Sequence, residues 1–393
     1  MMLETWGVEL ARGIGMFFLN PLVYWAFILV ILVGYKRIHA ERLNFGVKLY
    51  GLFAEWKRTW LPAFIASLLI SIVTLGIGIV LTYETIIVMS MVTILFSLPL
   101  RFSLLSPSYT LGSTYILLLF MPYLLEMQSI IATDLFAQIN FTGLAILMGM
   151  LLLVEAVLLK RIKSKETFPG LELSKRGGWS GQHILQKMTV IPFFTLVPSG
   201  SIGSFLDFWP LVSLGGETYS IVLVPFILGF RHTVRGANPE KVAHKLARSV
   251  ALLAFIVMFV AVGSIYVAWL SMAAIIIGIL GREYINLRHR LKDSNKRGYF
   301  NKTPNGLRVL AIIPGTPADR LGIVAGETVK KVNGKAVTEV DEFYEALQDS
   351  GPFFKLDIID EAGETRFVQS AFYEHDHYEL GIVFVRERYD VAK

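Results

Sequence analysis

The sequence contains no cysteine among its 393 residues. This absence excludes disulfides, thiol nucleophiles and cysteine-held zinc or iron–sulfur sites, while seven histidines leave other metal sites open. Charge is also scarce, because charged residues make up 17% of the chain against about 25% in a typical soluble domain. Hydrophobic residues reach 54%, so much of this apolar surface is expected to face lipid. The composition therefore predicts an integral membrane protein.

The two parts of the chain carry opposite net charge. Residues 1–302 hold 27 basic and 15 acidic residues, a net of +12, whereas residues 303–393 hold 10 basic and 16 acidic residues, a net of −6. The positive charges lie in short segments beside apolar runs, where anionic lipid is a better partner than nucleic acid. We therefore expect a basic membrane part that contacts anionic lipid, an acidic tail domain, and no binding of DNA or RNA.

Long apolar runs predict nine membrane-spanning helices, because about 20 apolar residues are needed to cross the hydrocarbon core. The last run is long enough for two short helices, and Gly263-Ser264 is the predicted turn between them. The expected membrane domain occupies residues 1–284, with about seven to nine helices, and a basic cytoplasmic linker follows over 285–304. The predicted spans cover 14–35, 60–83, 86–105, 109–125, 141–159, 190–209, 210–230 and two spans within 249–281.

Lysine and arginine are concentrated in four segments, and this asymmetry predicts the orientation. Segments 36–58, 160–188, 231–248 and 282–302 carry six, seven, five and seven of them, whereas the opposing loops carry none. Because positively charged loops remain in the cytoplasm during insertion, these segments and the tail domain are expected there. A short external N-terminus follows from the same pattern.

Two of the basic segments combine positive charge with apolar side chains. Asn238-Pro239-Glu240 has the pattern of a helix start, and the basic amphipathic stretch after it is expected to lie along the inner leaflet. Segment 45–58 has a similar composition. Lipid anchoring and the binding of a protein partner both fit these segments, and the sequence leaves both open.

The membrane part offers few candidates for catalysis or transport. Glu155 is close to Lys160 and Arg161, so a position at the cytoplasmic interface explains it better than a proton relay. Ser201 lies in a glycine- and serine-containing turn, across the bilayer from the five histidines of this part, and therefore lacks a general base. No His-Glu-x-x-His string occurs. We expect no catalytic residue, with an intramembrane peptidase or a transporter regulated by the tail as alternatives.

From about Asn305 the pattern changes to that of a small α/β domain. The asparagine and glycine at 333–334 and the glycine at 363 predict turns between strands. His375-Asp376-His377 supplies too few ligands for a metal site, and neither a metal nor a cofactor is expected. Strands are predicted at 307–313, 328–332, 355–360, 365–370 and 380–386, and helices at 317–321 and 340–348.

The tail resembles bacterial PDZ domains over residues 305–388. The match runs through Arg308-Val-Leu-Ala-Ile-Ile-Pro-Gly-Thr-Pro-Ala318, Leu321-Gly322-Ile323, Gly326-Glu327 and Val332-Asn333-Gly334-Lys335, with Glu327 in place of the usual aspartate. The chain is thus predicted to be a polytopic α-helical membrane protein with a small C-terminal α/β PDZ-like domain.

Near the C-terminus, Glu379-Leu380-Gly381-Ile382 resembles the carboxylate-binding motif of PDZ domains. This position implies a permuted order of the strands. The resemblance implies that a peptide pairs with this strand while helix 340–348 closes the groove. The groove residues implied are Leu380, Gly381, Ile382, Phe384, Tyr344 and Leu347.

A polytopic membrane part, a C-terminal PDZ-like domain and the lack of a protease motif together resemble the MinJ family of division-site selection proteins in Gram-positive rods. The resemblance implies a non-catalytic adaptor in the plasma membrane, at septum and poles. Its implied partners are a DivIVA-like polar protein and a MinD-like protein of the MinCD division inhibitor. The oligomeric state does not follow from the sequence.

Overall fold

The computed structural model describes residues 2–126, 138–173, 177–203, 218–301, 303–349, 353–371 and 380–386, with the single positions Phe136, Trp209, Pro210 and Gly351. In the membrane part of these residues, eight helices surround a three-stranded sheet. The helices are α1 Met2–Leu19, α2 Pro21–Phe45, α3 Trp60–Ile77, α4 Tyr83–Ser97, α5 Pro107–Glu126, α6 Phe141–Lys160, α7 Pro239–Gly263 and α8 Trp269–Ser294. The strands are β1 Phe168–Leu173, β2 Trp179–Gly203 and β3 Thr218–Val234.

Six helices of the described residues, α2, α3 and α5 to α8, are long and apolar enough to cross a membrane. The shorter α4 is apolar as well. Helices are confirmed within the predicted spans 60–83, 86–105, 109–125 and 141–159, and the turn at Gly263-Ser264 separates α7 from α8 as predicted. The chain is a multi-pass membrane protein.

The predicted helical spans over 190–209 and 210–230 are wrong. The described part of this stretch forms the long antiparallel hairpin β2–β3, with a register that runs from His183 opposite Val234 to Gly203 opposite Thr218. Buried residues on both faces of the hairpin pack in apolar clusters with helical residues, so the run reads as continuously apolar. Hydropathy alone does not distinguish such strands from a buried helix. Because β2 and β3 are antiparallel, the chain enters and leaves the hairpin at the same end. The two wrong spans therefore do not change the side of the membrane predicted for the tail domain.

The outer edge of β2 is bonded by α3 and the chain that follows it. The Phe194 amide donates to the Ser71 hydroxyl at 2.9 Å, and Thr74 donates to the Phe194 carbonyl. Further along, the Leu81 amide donates to the Leu196 carbonyl at 2.8 Å. Unpaired backbone groups are costly in an apolar environment, and these bonds let a sheet edge lie inside a membrane protein.

The predicted first span, 14–35, contains a helix break that its continuous apolar run conceals. Asn20 caps α2 by accepting a hydrogen bond from the Leu22 amide at 2.9 Å, with Pro21 as the first helical residue. Before the break, Gly13 of α1 lies against the Ile221 backbone of β3, where an added Cβ would be 2.3 Å from the carbonyl oxygen. The predicted single span is therefore two helices, α1 and α2, and both pack against β3.

The tail domain agrees with the predicted order of elements. The strands are β4 Leu307–Ile312, β5 Thr328–Val332, β6 Lys335–Ala336, β7 Phe353–Ile359, β8 Thr365–Ala371 and β9 Ile382–Phe384, and the helices are α9 Pro317–Arg320 and α10 Val340–Gln348. The sheet has the strand order β8-β7-β5-β4-β9, with β6 paired to β5. The Asn333-Gly334 turn has positive φ angles of 47° and 83°. Helix α8 runs to Ser294, so it includes the first half of the segment predicted as a linker.

The basic segments meet the tail domain at one end of the helical bundle, which we term the basic end. Lys165 pairs with Asp319 at 2.8 Å, and Lys241 pairs with Glu361 at 2.8 Å. A cluster of buried apolar residues from both parts also joins them. The cluster includes Phe45, Leu49, Leu171, Phe300, Leu310 and Val383.

Neither amphipathic segment forms a separate helix of its own. Asn238 does cap a helix, but that helix is the continuous α7, and its first turns bury Ala243 and Leu246 in the protein core. Segment 45–58 forms turns, because Glu41 accepts hydrogen bonds from the Leu49 and Tyr50 amides at 2.8 and 3.2 Å. Leu49 and Trp56 of segment 45–58 are buried in the protein, whereas Val47 and Phe53 are exposed.

Candidate peptide-binding groove

The groove lies between the edge strand β9 and helix α10. One edge of β9 pairs with β4, from Val309 opposite Phe384 to Ile312 opposite Ile382, and no strand of the described residues pairs with its other edge. Phe343 of α10 packs edge-on against Phe384, with ring centroids 5.0 Å apart. An unpaired strand edge beside a helix is the geometry that accepts a peptide as an additional strand.

The turn before β9 depends on glycine at position 381. Gly381 has a φ of +79°, and an added Cβ would lie 2.3 Å from the Thr316 hydroxyl. Its carbonyl accepts the Ile313 amide at 2.9 Å, and the Leu380 carbonyl accepts the Ala318 amide at 3.0 Å. These bonds fix the loop from which backbone amides could reach a carboxylate.

The six predicted groove residues occupy two environments. Gly381, Ile382, Phe384 and Tyr344 line one cavity of about 80 Å³ between β9 and α10. Leu380 and Leu347 lie elsewhere, in the apolar core of the domain. Phe384 and Ile382 belong to that core as well as to the lining of the cavity, so the core packing positions them.

Residues outside the domain complete the cavity, and the sequence analysis did not assign them to the groove. Phe45 at the end of α2 and Val47 after it line the cavity together with Ile313, Val340 and Arg386. Arg386 holds this arrangement, because its guanidinium donates to the Phe45 carbonyl at 3.1 Å. The apolar residues of segment 45–58 were the available signal, but the contact joins residues 341 positions apart.

Acidic residues of the domain contact the basic end. A hydrogen bond from Lys165 lowers the pKa of Asp319, and the Gly315 amide adds to this effect. Burial by itself raises the pKa of Glu361, but hydrogen bonds from Lys241, Tyr299 and Asn238 outweigh it and leave that pKa below its usual value. The opposite net charges of the two parts thus meet in specific pairs.

Comparison with known proteins agrees with both parts of this architecture. The PDZ domain family matches residues 308–358. The chain is 34% identical over 386 residues to the cell division topological determinant MinJ of Bacillus subtilis (strain 168), and the alignment covers 97% of this chain and 96% of that protein. The chain belongs to the MinJ family. Proteins of Lacticaseibacillus paracasei and Lacticaseibacillus casei (strain BD-II), both named as probable MinJ determinants, are 23% identical over 288 residues, or 68% of this chain and 73% of each relative.

Membership of the MinJ family confirms the resemblance that the sequence suggested. It places the chain among cell division topological determinants that combine membrane helices with a PDZ domain. The structure adds the way in which this MinJ-family chain attaches its PDZ domain to the membrane part.

A buried histidine forms part of that attachment. His183 of β2 stacks on Phe300, with ring centroids 4.6 Å apart, and its Nε2 lies 2.8 Å from the Leu310 carbonyl of the PDZ domain. The carbonyl can only accept, so Nε2 carries the proton, while the Thr167 hydroxyl lies 2.6 Å from Nδ1. Burial lowers the pKa of His183 to about 4, against the opposing effect of the Leu310 bond. The contact is therefore made by a neutral imidazole.

Acidification is expected to loosen the PDZ domain of this MinJ-family chain from its membrane part. Because the folded-state pKa of His183 lies below the value of about 6.5 for an exposed histidine, its contribution is complete above that pH. The contribution is lost as the pH falls towards 4. Asp319 and Glu361 have lowered pKa values, so they lose their contributions only below about 4. Paired spectroscopic labels on introduced cysteines would report the separation, since the chain has none of its own.

The control for this pH dependence replaces one buried and one exposed histidine in separate variants. His183→Gln should make the separation constant between about pH 6.5 and 4.5, because the titrating group is gone. His39→Gln, at an exposed position of α2, should leave the transition in place. An unchanged transition in His183→Gln would contradict the assignment.

Glu155 is not at the interface, which corrects the expectation from the sequence. Its side chain is 0% exposed and forms an ion pair with Arg282 of α8, which is 1% exposed. Ser106 donates to the second carboxylate oxygen at 2.6 Å, and His232 Nε2 lies 3.3 Å from the guanidinium. The expectation was wrong because the span was ended at residue 281, which placed Arg282 in a loop.

The other candidate residues do not assemble into a catalytic or metal site within the described residues. Ser201 is exposed on β2 towards the turn of the hairpin, whereas His183 and His232 lie towards its other end. No group of three metal-ligating side chains occurs in the described part of the chain. His375, Asp376 and His377 lie outside the described residues. The geometry at Ser201 adds no support to the peptidase alternative.

Proposed function

We propose that this MinJ-family protein is a non-catalytic membrane scaffold of division-site selection, placed at septum and poles. In this proposal it links a DivIVA-like protein to a MinD-like protein of the MinCD inhibitor. The observation that carries it is the PDZ domain, which is fixed at the basic end while the outer edge of β9 stays unpaired among the described residues. A domain held in this way can present a bound peptide at a constant distance from the membrane.

The proposed orientation places the PDZ domain in the cytoplasm. Three basic segments contact the domain through Lys165, Lys241 and Phe45, and the fourth leads directly into it. Segments with this much positive charge are retained on the cytoplasmic side during insertion. The soluble partners of the proposal are cytoplasmic, so this orientation is required for the groove to reach them.

The proposed binding mode is addition of a peptide strand to β9. Backbone hydrogen bonds to the strand edge would supply affinity, and the pocket next to Ile382, Tyr344 and Val340 would select an apolar side chain. Val47 borders the same pocket from the membrane part, so a bound peptide would contact both parts of the chain. Recognition by the full chain would therefore differ from recognition by the PDZ domain alone.

Tyr344→Ala is expected to weaken partner binding by about 5- to 150-fold, the effect of losing one well-packed aromatic contact of about 1–3 kcal/mol. Tyr344 is half-buried, lines the groove and packs against the outside of the domain core without being one of its fully buried residues. The measurement is pull-down of DivIVA-like and MinD-like proteins by the full chain, together with division placement in Bacillus subtilis cells that lack their own MinJ.

Gln348→Ala is the matched control, because Gln348 is exposed on the same helix and does not line the groove. It should bind both partners as the unaltered chain does. If Tyr344→Ala and deletion of residues 303–393 both retain the two partners and normal division placement, the scaffold proposal fails. If only one partner is lost, the groove is assigned to that partner and the basic loops to the other.

A further inference from the structure

A separate cavity of about 470 Å³ lies at the basic end, between the start of α3 and the end of α6. Five cationic side chains and a single carboxylate, that of Glu166, line it. Four of the cations lie in the chain just before α3 or just after α6, and one comes from β2. The cations are Lys57, Arg58, Arg161, Lys163 and Lys187.

The one carboxylate is already engaged by two of these cations. Glu166 accepts a hydrogen bond from Arg58 at 2.6 Å, and its other oxygen lies 3.5 Å from Lys187 Nζ. Lys187 is buried and also donates to the Lys57 carbonyl at 3.1 Å. Within the described residues, the side chains of Lys57, Arg161 and Lys163 are exposed and form no ion pair. The cavity therefore carries excess positive charge that a bound anion would neutralise.

The remaining walls of the cavity are apolar and continue into a lipid-facing surface. Leu61 lines the cavity and is 64% exposed, and Phe64 follows one turn later at 68%. Trp60 stands at the boundary between the two regions, the position that interfacial aromatic residues prefer. A ligand with an anionic head and hydrocarbon chains matches this combination better than a free anion does. The large exposed apolar residues of α3 are Trp60, Leu61, Phe64, Ile65, Leu68, Leu69, Ile72 and Ile77.

We infer that this cavity binds the phosphate headgroup of an anionic phospholipid from the adjacent leaflet, with the acyl chains along α3. Lys57, Arg161 and Lys163 would contact the phosphate oxygens, and the buried Lys187 would add positive charge at the bottom of the cavity.

The lipid site would also affect the peptide groove. Segment 46–58 joins it directly to the peptide groove, since Val47 and Lys57 stand near the two ends of that segment. Bound lipid would therefore steady the chain that borders the groove.

The test compares two triple variants of the full-length protein in detergent, each titrated with phosphatidylglycerol and read by native mass spectrometry. The first variant, Lys57→Gln with Arg161→Gln and Lys163→Gln, removes the unpaired cations of the cavity. Its affinity for phosphatidylglycerol should fall at least about tenfold, because each charge-assisted hydrogen bond to a phosphate is worth about a factor of ten or more.

The second variant removes the same charge from exposed positions outside the cavity: Lys245→Gln, Arg248→Gln and Arg288→Gln. It should lose about twofold or less, the loss expected when no direct contact is removed. Equal losses in the two variants would overturn the site and leave general surface attraction. Binding of phosphatidylcholine as tight as that of phosphatidylglycerol would overturn it too. Glycerol 3-phosphate distinguishes a phospholipid headgroup from a soluble phosphate as the ligand. If it bound as tightly as the lipid, the cavity would be a site for soluble anions and the inference would be wrong.

Discussion

Arg282→Met is expected to destabilise the protein by about 3–5 kcal/mol, the cost of leaving one member of a buried ion pair without its partner. The Glu155 carboxylate is completely buried, and without Arg282 it would keep only the hydrogen bond from Ser106. The guanidinium also joins α8 to α6 and β3, through Glu155 and His232. Unfolding of the detergent-solubilised protein, followed by circular dichroism, measures the loss.

The double variant Arg282→Met with Glu155→Leu is the decisive comparison. Replacing both members of a buried pair with apolar side chains of similar size is often neutral, so the double variant should recover most of the stability lost in Arg282→Met. Lys335→Met is the control at an exposed pair, where Lys335 and Asp349 lie 2.8 Å apart near the surface, and no measurable change is expected. If the double variant were as unstable as Arg282→Met, the pair would not account for the loss.

The ion pair shows why part of the membrane fold could not be predicted. Glu155 and Arg282 are 127 positions apart, and each lies at the edge of an apolar run. Hydropathy assigned both to the interface, because it evaluates each charge alone and a partner on another helix is invisible to it. The pairing lets α8 continue past Gly281 to Ser294. Only the packing of the helices brings the two charges together.

The helix break at Asn20, in contrast, could have been predicted from the sequence. Asn20-Pro21 has the same cap and first-turn proline as Asn238-Pro239, which correctly predicted the start of α7. It was missed because the apolar run continues across it. The hairpin β2–β3 is a different case, since its strands are enclosed on both faces and lose the alternation that identifies a strand.

Parts of the PDZ domain were predictable from local patterns, because β7 alternates between buried and more exposed residues and a turn carries specific residues. Asn333-Gly334 adopts the positive φ angles that a tight turn between strands requires, and α10 has the predicted bounds 340–348. The contribution of Phe45 and Val47 to the groove was not predictable, because it depends on how two separately folded parts dock. The resemblance to PDZ domains thus pointed to four residues that line the cavity, but not to the wall supplied by the membrane part.

Gly381→Ala is expected to destabilise the PDZ domain by about 2–5 kcal/mol and to abolish partner binding. Positive φ costs an alanine about 1–2 kcal/mol, and a crowded Cβ adds about 1–3 kcal/mol. The crowding is specific, because the new Cβ would lie 2.3 Å from the Thr316 hydroxyl oxygen. Any relief would move the loop away from β4, which Gly381 holds through the Ile313 amide. Hydrogen exchange of β4 and β9 in the full chain measures the loss of local stability.

Gly363→Ala separates the two causes, because Gly363 also has a positive φ, +88°, but a Cβ added there would meet nothing within 4 Å. This variant should show the backbone strain alone, about 1–2 kcal/mol, and should still bind partners. Adding Thr316→Gly to Gly381→Ala removes the side chain that the new Cβ meets, so exchange should slow towards that of Gly363→Ala. Equal destabilisation by the two glycine substitutions, with no recovery from Thr316→Gly, would mean that the loop before β9 is not held by this close approach. The groove would then owe its shape to the packing of Phe343 against Phe384 instead.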